Sequence, residues 1–291
     1  MLRHLAVDCV LWAAMIAGSS MGGPAGGACA GFLFAVFSFR SFAMMHECVH
    51  SSGARRATVN TGLGTVFGLF CFLPFAGWRD MHIEHHRWTG NVDRDPTTKI
   101  LLRFEQARFQ LPPLMAWSWR LWLPLLGFMQ HVVFWRATVG KREYAFVPVS
   151  VMYLLFVAWI LGPWTLLAGL VSYLFVVEAV NLPHHLGMRQ FRGDRRFHVS
   201  EQNRFTRSCV YPRWFAHHVL LNFNLHTAHH LFPSHPWYQL DALHAEVVAE
   251  GLQLNMGSGN EWIVKNRRLA LTQVMQKTFA TSAAEEDPKA A

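Results

Sequence analysis

The sequence predicts an all-α integral membrane protein in which two transmembrane helical hairpins, with four spans in all, carry a cytoplasmic helical cap. Two observations predict this class. The chain of 291 residues is 52% hydrophobic and only 15% charged, with a mean hydropathy of +0.17, which is unusual for a wholly water-soluble protein. The apolar residues are also concentrated, because Cys9–Phe39 and Tyr144–Val177 contain no charged residue over 31 and 34 positions. Such blocks are typical of membrane helices.

Each uncharged block is long enough for two spans. A helix of 34 residues rises about 51 Å, whereas the hydrocarbon core is roughly 30 Å thick. The glycine-rich stretch 18–27 breaks the first block, and Gly162-Pro163 breaks the second. The predicted spans are residues 4–19, 27–45, 145–161 and 164–181.

The basic residues indicate the orientation. All 26 Lys and Arg lie outside the two predicted turns, and cytoplasmic loops carry an excess of these residues. Both termini and the cap are therefore predicted to be cytoplasmic, and the 21 Arg against 5 Lys favour a bacterial inner membrane. The net charge of +8 suits anionic headgroups of membrane lipids. No nucleic-acid partner is expected, because no basic stripe with interleaved aromatics follows a recognisable module.

Two further apolar stretches, 59–78 and 111–139, are not predicted to cross the membrane. The first contains four glycines and a proline, and the second is interrupted by Arg120, His131 and Arg136. Both are therefore predicted to be interfacial or re-entrant helices.

The two ends of the chain allow separate predictions. Arg3, an apolar run and the small residues 28–30 imitate the parts of a signal peptide, but Asp8 interrupts the run, so a retained first hairpin is favoured. Residues 1–278 are predicted to form a single membrane-embedded domain and 279–291 a disordered tail. The five cysteines show neither pairing nor CxxC spacing, as expected of reduced thiols buried in helices.

Seventeen histidines cluster at the predicted cytoplasmic ends of the spans. Residues four apart share a helix face, so a box with this spacing can aim two imidazoles in one direction. Neighbours diverge by about 100°, so each can serve a different ion. One zinc usually takes four ligands, and the boxes offer eight imidazoles. The three boxes are His46/His50, His82/His85/His86 and His226/His229/His230.

A shared site requires every box to lie on one face of the membrane. An even number of crossings must therefore separate them. The predicted spans place no crossing between the first and second boxes, two crossings before Asn181, and none from there to His226. An ionisable cluster beside apolar spans is costly unless it is coordinated, which favours a functional role.

Carboxylates are expected beside such a cluster, because neutral ligands leave the charge of the metal uncompensated and an acidic side chain can orient each imidazole. Glu178 lies in an otherwise uncharged span, although simple snorkelling to the interface is an alternative there. Asp93 and Asp95 are predicted to organise a loop. The candidates for orienting imidazoles are Glu47, Asp80, Glu84 and Glu178.

At these residues the chain resembles the membrane fatty acid desaturase and hydroxylase superfamily. The matching pattern is HxxxH, HxxHH and HxxHH, in this order and with two hairpins interleaved, over about residues 27–245. Residues 222–240 (NFNLHTAHHLFPSHPWYQL) are similar to the segment around the last box in many acyl-lipid desaturases. The three-residue gap in the first box resembles the acyl-lipid, sphingolipid and carotenoid-modifying branches.

The resemblance implies a non-haem centre of two Fe ions that uses O2 to remove hydrogen from an unactivated C–H bond of a lipid or acyl chain. It also implies that Asn181 and His185 form an NxxxH element, in which His185 binds iron and Asn181 holds a water. His184 is then a neighbour that supports the ligands, with an exchange of roles between His184 and His185 as the alternative. The implied metal ligands are His46, His50, His82, His85, His86, His185, His226, His229 and His230.

Other functions remain open at this point. Imidazole also suits Zn, Cu or Ni, so iron follows from the resemblance alone. A hydroxylase or ketolase acting on a lipid or carotenoid would use the same oxidant. His46 and His50 also form a literal HExxH, as in an intramembrane zinc protease, but the third ligand such enzymes need is missing from 145–177. A metal transporter would need ligands at the bilayer midplane, where the predicted spans have no histidine.

Electrons are expected from a separate protein. The sequence shows neither a haem-binding nor a ferredoxin-like segment, and no extra cysteine cluster follows the last box. The expected donor is a ferredoxin or a small haem protein with its reductase, and an acidic carrier would suit the basic cytoplasmic face.

Overall fold

The computed structural model describes residues 2–98, 123–124, 127–128, 130–132, 135, 144–185, 188–252 and 254–258. The predicted tail 279–291 lies outside the described residues, and most of the predicted helix 111–139 does too. The described part is mostly helical. Its helices are α1 (Leu2–Ser20), α2 (Gly23–Val49), α3 (Ala57–Phe70), α4 (Phe75–Trp88), α5 (Phe146–Leu161), α6 (Pro163–His185), α7 (Arg213–His218), α8 (His226–Leu231) and α9 (Leu240–Ala249).

Two short strands complete this description. Strands β1 (Ser208–Val210) and β2 (Met256–Ser258) pair in parallel, with Ser208 opposite Met256. Two 3-10 helices, Val199–Arg204 and Trp237–Gln239, lie in the connections.

The described residues divide into two compact units. The first takes its residues from Met1–Arg79 and Leu123–Glu178, and the second from Asp80–Trp122 and Ala179–Ala291. The long apolar helices contribute mainly to the first unit, whereas the second and third histidine boxes belong to the second. A single domain over residues 1–278 stays a prediction.

Helices α2 and α6 are long and apolar enough to cross a membrane. Helices α3 and α4 meet this condition together but are bent by 102° at the break between them, as in a broken span or a re-entrant loop. Helices α1 and α5 are apolar but shorter. By length and composition, the described residues therefore contain two or three candidate spans, and the four predicted spans are not confirmed.

The first hairpin has a shorter turn than its glycines predict. Only residues 21–22 separate α1 from α2, and most of the stretch 18–27 is helical. A Cβ atom built on Gly26 would lie 2.4 Å from the carbonyl oxygen of Gly18. These glycines therefore let the two helices approach closely, as small residues do in membrane helix pairs.

A buried ion pair also joins α1 to α2. Arg40 Nε donates to Asp8 Oδ1 at 2.8 Å, and His4 Nε2 lies 2.8 Å from Asp8 Oδ2. All three side chains are buried. Because an unpaired charge in apolar surroundings is costly, this pairing favours one register of the hairpin.

Two side chains donate hydrogen bonds to backbone carbonyls at the break between α3 and α4. Phe72 has a φ of 61°, which is uncommon for a residue other than glycine. Trp135 Nε1 donates to the carbonyl of Phe72 at 2.6 Å, and the Tyr173 hydroxyl donates to the carbonyl of Cys71 at 3.0 Å. Non-helical backbone at membrane depth needs such partners. The predicted stretch 59–78 is therefore two helices, and the second continues through the second histidine box.

Candidate metal centre

The nine histidines predicted as ligands lie at helix ends or on short helices. His46 and His50 lie at the end of α2 in the first unit, with ring centroids 5.0 Å apart. The other seven belong to the second unit. They are His82, His85 and His86 on α4, His185 at the end of α6, and His226, His229 and His230 on α8.

The end of α6 is held by Arg207. Arg207 Nη1 donates to the carbonyl of Pro183 at 2.6 Å, and the backbone N–H of Arg207 donates to the carbonyl of His184 at 2.8 Å. These carbonyls have no helical partner at a C-terminus, so the contacts satisfy them and fix the orientation of the last turn. His185 is thereby positioned by a residue that lies 22 positions further along the chain.

Four imidazoles from three helices form the first imidazole group, which consists of His85, His185, His226 and His230. Each ring offers one nitrogen, and these nitrogens all lie within 4.8 Å of one another. Nε2 of His185 lies 2.7 Å from Nε2 of His226 and 3.2 Å from that of His85. Nε2 of His230 lies 3.1 Å from that of His226.

Acceptors outside the first imidazole group hold the second ring nitrogen of three members. A carboxylate, a backbone carbonyl or an amide oxygen can only accept, so the facing ring nitrogen must carry the proton. The pairs are His85 Nδ1 with Asp95 Oδ1 at 2.9 Å, His185 Nδ1 with the carbonyl of Phe205 at 3.2 Å, and His230 Nδ1 with Gln202 Oε1 at 2.6 Å.

These pairings determine what the group can bind. A neutral imidazole carries one N–H, so protonation at Nδ1 leaves Nε2 with only a lone pair. The Nε2 lone pairs of His85, His185 and His230 lie close to the ring of His226. A neutral His226 has one N–H, so it can donate a proton to at most one of these three lone pairs. Lone pairs at this separation repel unless a cation lies among them. The donor set therefore fits a transition-metal ion.

The protonation states agree with metal binding. Burial lowers the pKa of His226 and of His230 well below the ordinary value, and the neighbouring imidazoles act in the same direction. Both rings are therefore neutral at pH 7, which is the form that ligates metals.

Asp95 connects His85 to a loop. Burial alone would raise the pKa of Asp95, but His85 beside it and the backbone N–H of Thr97 lower the pKa below its ordinary value. Asp95 Oδ2 also accepts from the backbone N–H of Gly90 at 3.3 Å and from the Thr98 hydroxyl at 3.2 Å. The predicted loop-organising role of Asp95 is confirmed, but its contact with His85 was not predicted.

Gln202 makes a similar connection for His230. Its Oε1 accepts from His230, and its Nε2 donates to the backbone carbonyl of His86 at 2.7 Å. These two partners fix the orientation of the amide. Gln202 precedes His230 by 28 residues, and no local pattern in the sequence points to it.

His82, His86 and His229 approach one another in the second unit. Their ring nitrogens lie within 4.8 Å of one another, and Nε2 of His86 is 3.0 Å from that of His82 and 3.1 Å from that of His229. The ring of His86 stacks on His230 at 4.1 Å. The doublet neighbours His85 and His86 therefore point to different sets of rings, in the way that the divergence of adjacent helical residues allows.

His184 and Asn181 lie near the first imidazole group. The ring of His184 is buried and stacks on His226, with centroids 4.3 Å apart and an angle of 10° between the planes. His184 is not one of the four members, whereas its neighbour His185 is. Asn181 lies one turn before His185 on α6. A water-mediated role for Asn181 stays a prediction.

Two of the predicted carboxylates have partners other than imidazoles. The oxygens of Glu84 accept from Arg87 Nη1 and Trp88 Nε1, each at 2.7 Å. Glu178 Oε2 accepts from Gln130 Nε2 at 3.0 Å within the first unit. Neither contact reaches a ligand, so their orienting roles stay predictions.

The other two carboxylates lie close to boxes in sequence. Glu47 Oε1 is 3.9 Å from His46 Nδ1, and Glu47 Oε2 accepts from the Ser52 hydroxyl at 2.9 Å. Asp80 lies on α4, two residues before His82. Their roles toward the imidazoles also stay predictions.

Helices apolar enough to cross a membrane, together with buried histidine clusters able to bind metal ions, place the chain in the class of histidine-box membrane proteins. The model of the fatty acid desaturase family matches residues 23–257. The chain belongs to the fatty acid desaturase family, and the resemblance based on the three boxes is confirmed.

Curated relatives agree with this family. The sn-1 oleoyl-lipid 12-desaturase of Anabaena variabilis is 28% identical over 71% of this chain and 64% of the relative. The sn-1 acyl-lipid omega-3 desaturase (ferredoxin) of Synechocystis is 27% identical over 68% of this chain and 61% of the relative. The chloroplastic omega-6 fatty acid desaturase of Spinacia oleracea is 27% identical over 69% of this chain and 48% of the relative. The chain thus spans 48–64% of the length of these relatives.

Proposed function

We propose that this protein is an O2-dependent di-iron desaturase that introduces a double bond into the acyl chain of a lipid. The first imidazole group supports this proposal most directly, because three of its four rings have their Nδ1 protons held outside the group and its ring nitrogens lie within 4.8 Å of one another. Family membership supports the reaction class. The names of two relatives, both acyl-lipid desaturases, support a lipid-linked acyl substrate.

The proposed ligands follow from the boxes and the NxxxH element. Asn181 is proposed to act through a water, and His184 to support the ring of His226 by stacking. When bound, the two irons would supply the oxidising power of O2. The proposed ligands are His46, His50, His82, His85, His86, His185, His226, His229 and His230.

The protein's own residues hold the donor set in one protonation state. Asp95, the carbonyl of Phe205 and Gln202 orient three rings, and His85, His226 and His230 are buried from water. In the overall reaction the substrate gives up two hydrogen atoms to form the double bond. An external donor supplies two electrons and the solvent two protons, so that one O2 becomes two water molecules.

We further propose that the protein lies in a bacterial inner membrane with its histidine boxes on the cytoplasmic side. The distribution of Lys and Arg supports this orientation. The donor would be a ferredoxin or a small haem protein with its reductase. The name of the Synechocystis relative includes ferredoxin.

Expression in a host of known lipid composition tests the proposed function. We expect mass spectrometry to show lipids that have lost two hydrogen atoms, with a double bond at one position. A matched His226→Ala variant, expressed to the same level, should leave the lipids unchanged. Lipids or carotenoids that gain oxygen would instead identify a hydroxylase or ketolase. Unchanged lipids, despite iron-loaded protein and a functional donor, would contradict the proposal.

A further inference from the structure

Two loops of the second unit, 90–95 and 188–197, are joined beside the first imidazole group. The backbone N–H of Phe191 donates to the carbonyl of Gly90 at 2.9 Å, and the N–H of Val92 donates to the carbonyl of Phe191 at 2.9 Å. The loops therefore form a single layer, here called the arginine layer.

The outer side of the arginine layer carries an excess of positive charge. Asp93 and Asp194 are its exposed acids, and they pair with Arg192 and Arg94. Asp95 is buried against His85 and adds no surface charge. Arg195 also lies 3.9 Å from Glu201, a half-buried acid beside the layer, so the positive excess is two charges. The exposed cations of the layer are Arg94, Arg189, Arg192, Arg195 and Arg196.

Three of these arginines lie over aromatic rings, and one of them is Arg195, whose guanidinium carbon is 4.5 Å from the ring centroid of Phe197. The guanidinium carbon of Arg94 lies 4.4 Å from the ring centroid of Trp88, and that of Arg196 lies 4.8 Å from it. Trp88 is buried, and its indole N–H donates to Glu84. Cation–π stacking of this kind restrains long side chains, so less conformational entropy is lost when a partner binds them.

The inner side of the arginine layer contacts two members of the first imidazole group. Asp95 belongs to the layer and accepts from the ring of His85 at 2.9 Å. The ring of Phe205 packs against Phe191 at 5.3 Å, and the carbonyl of Phe205 accepts from the ring of His185 at 3.2 Å. One hydrogen bond through Asp95, and one path of aromatic packing followed by a hydrogen bond through Phe205, therefore join this surface to the proposed ligands.

We propose that the arginine layer is the docking surface for a small acidic one-electron carrier. This inference rests on the proposed function, since only a reaction that consumes external electrons needs such a partner. Each docking event transfers one electron and leaves the carrier oxidised by one electron, so two events balance one double bond. Complementary charge would steer the carrier to the surface and set its orientation.

Anionic lipid headgroups are the rival ligand of this basic surface. Asp93 and Asp194 would repel either anionic ligand, so they do not distinguish the two. Binding to a bilayer would not need the contacts of the layer with His85 and His185, and these contacts favour a protein carrier.

Charge reversal tests the inference with the full-length protein in nanodiscs of zwitterionic phosphatidylcholine. The variant Arg195→Glu/Arg196→Glu is compared with Arg55→Glu/Arg56→Glu, which reverses another pair of adjacent exposed arginines. The probe is reduced plant-type ferredoxin, titrated at low and high ionic strength. Iron content and a single turnover after chemical reduction by dithionite are measured in parallel.

We expect the reversal at Arg195 and Arg196 to raise the KM for ferredoxin about tenfold at low salt and to abolish most of the salt dependence. Iron content and the dithionite-driven turnover should stay at the wild-type level, and the control pair should change the KM by less than about twofold. Asp194→Asn, which removes an acid from the same layer, should lower the KM.

Three results would overturn the inference. The first is that both charge reversals change the KM equally. The second is that the reversal at Arg195 and Arg196 lowers the dithionite-driven turnover as much as the ferredoxin-driven turnover. The third is an effect that occurs only in nanodiscs of anionic lipid, which would assign the surface to headgroups. Failure of the proposed function is distinguishable, because the wild-type protein would then form no product with either reductant.

Discussion

Replacement of His185 by alanine is expected to remove bound iron and abolish activity, whereas the same replacement of His184 should leave the metal in place. Nε2 of His185 lies 2.7 Å from Nε2 of His226, and Nδ1 of His185 donates to a backbone carbonyl. Nε2 is therefore the ring nitrogen of His185 that is available to bind a metal. His184 stacks on His226 and lies outside the first imidazole group. The loss of activity at His185 should exceed the roughly 100-fold typical of losing an outer-sphere partner.

These adjacent residues form a matched pair of variants. Metal content, lipid product and thermal unfolding in detergent are measured for both, so that a folding defect is separated from loss of a ligand. His184 is buried, and its removal should lower thermal stability while iron is retained. Iron loss in His184→Ala together with iron retention in His185→Ala would exchange the two roles.

Replacement of Asp95 by asparagine is expected to lower the affinity for metal about 10- to 100-fold. The carboxylate accepts the Nδ1 proton of His85 at 2.9 Å and also accepts from Gly90, Thr97 and Thr98. An amide in its place has one oxygen and one donor nitrogen. If the nitrogen faces His85, the proton moves to Nε2 and blocks the lone pair that binds metal.

Asp93→Asn is the matched control for this variant. Asp93 lies in the same loop but is exposed and pairs with Arg192 at 2.8 Å. Titration with Fe(II) under anaerobic conditions measures both affinities. Equal affinity in Asp95→Asn and wild type would show that the contact with His85 does not tune the ligand.

Local patterns predicted the helices well, but contacts between helices decided where they end and bend. The uncharged blocks and Gly162-Pro163 predicted spans that match α1, α5 and most of α6. The glycines at 18–27 were predicted as a turn because glycine permits turns, yet Gly26 serves close helix packing. Likewise, the break near Phe72 depends on Trp135 and Tyr173, which are distant in sequence.

The candidate site shows the same division. The spacing of the boxes predicted which histidines share a helix face, because that spacing is a local property. It did not predict which boxes combine in one group, since His85, His185 and His226 are brought together only by the fold. The contact of Asp95 with His85, ten residues away, and that of Gln202 with His230, 28 residues away, were not predicted, because both depend on how a loop or 3-10 helix folds back onto a box.

The metal content of the purified wild-type protein is the most direct measurement of the central claim. Protein produced in cells supplied with both iron and zinc is analysed for bound metal per chain. Two irons per chain are expected from two sets of converging imidazoles. One zinc per chain without iron, as in a protease built on His46 and His50, would contradict the di-iron centre. So would a folded protein that binds no metal.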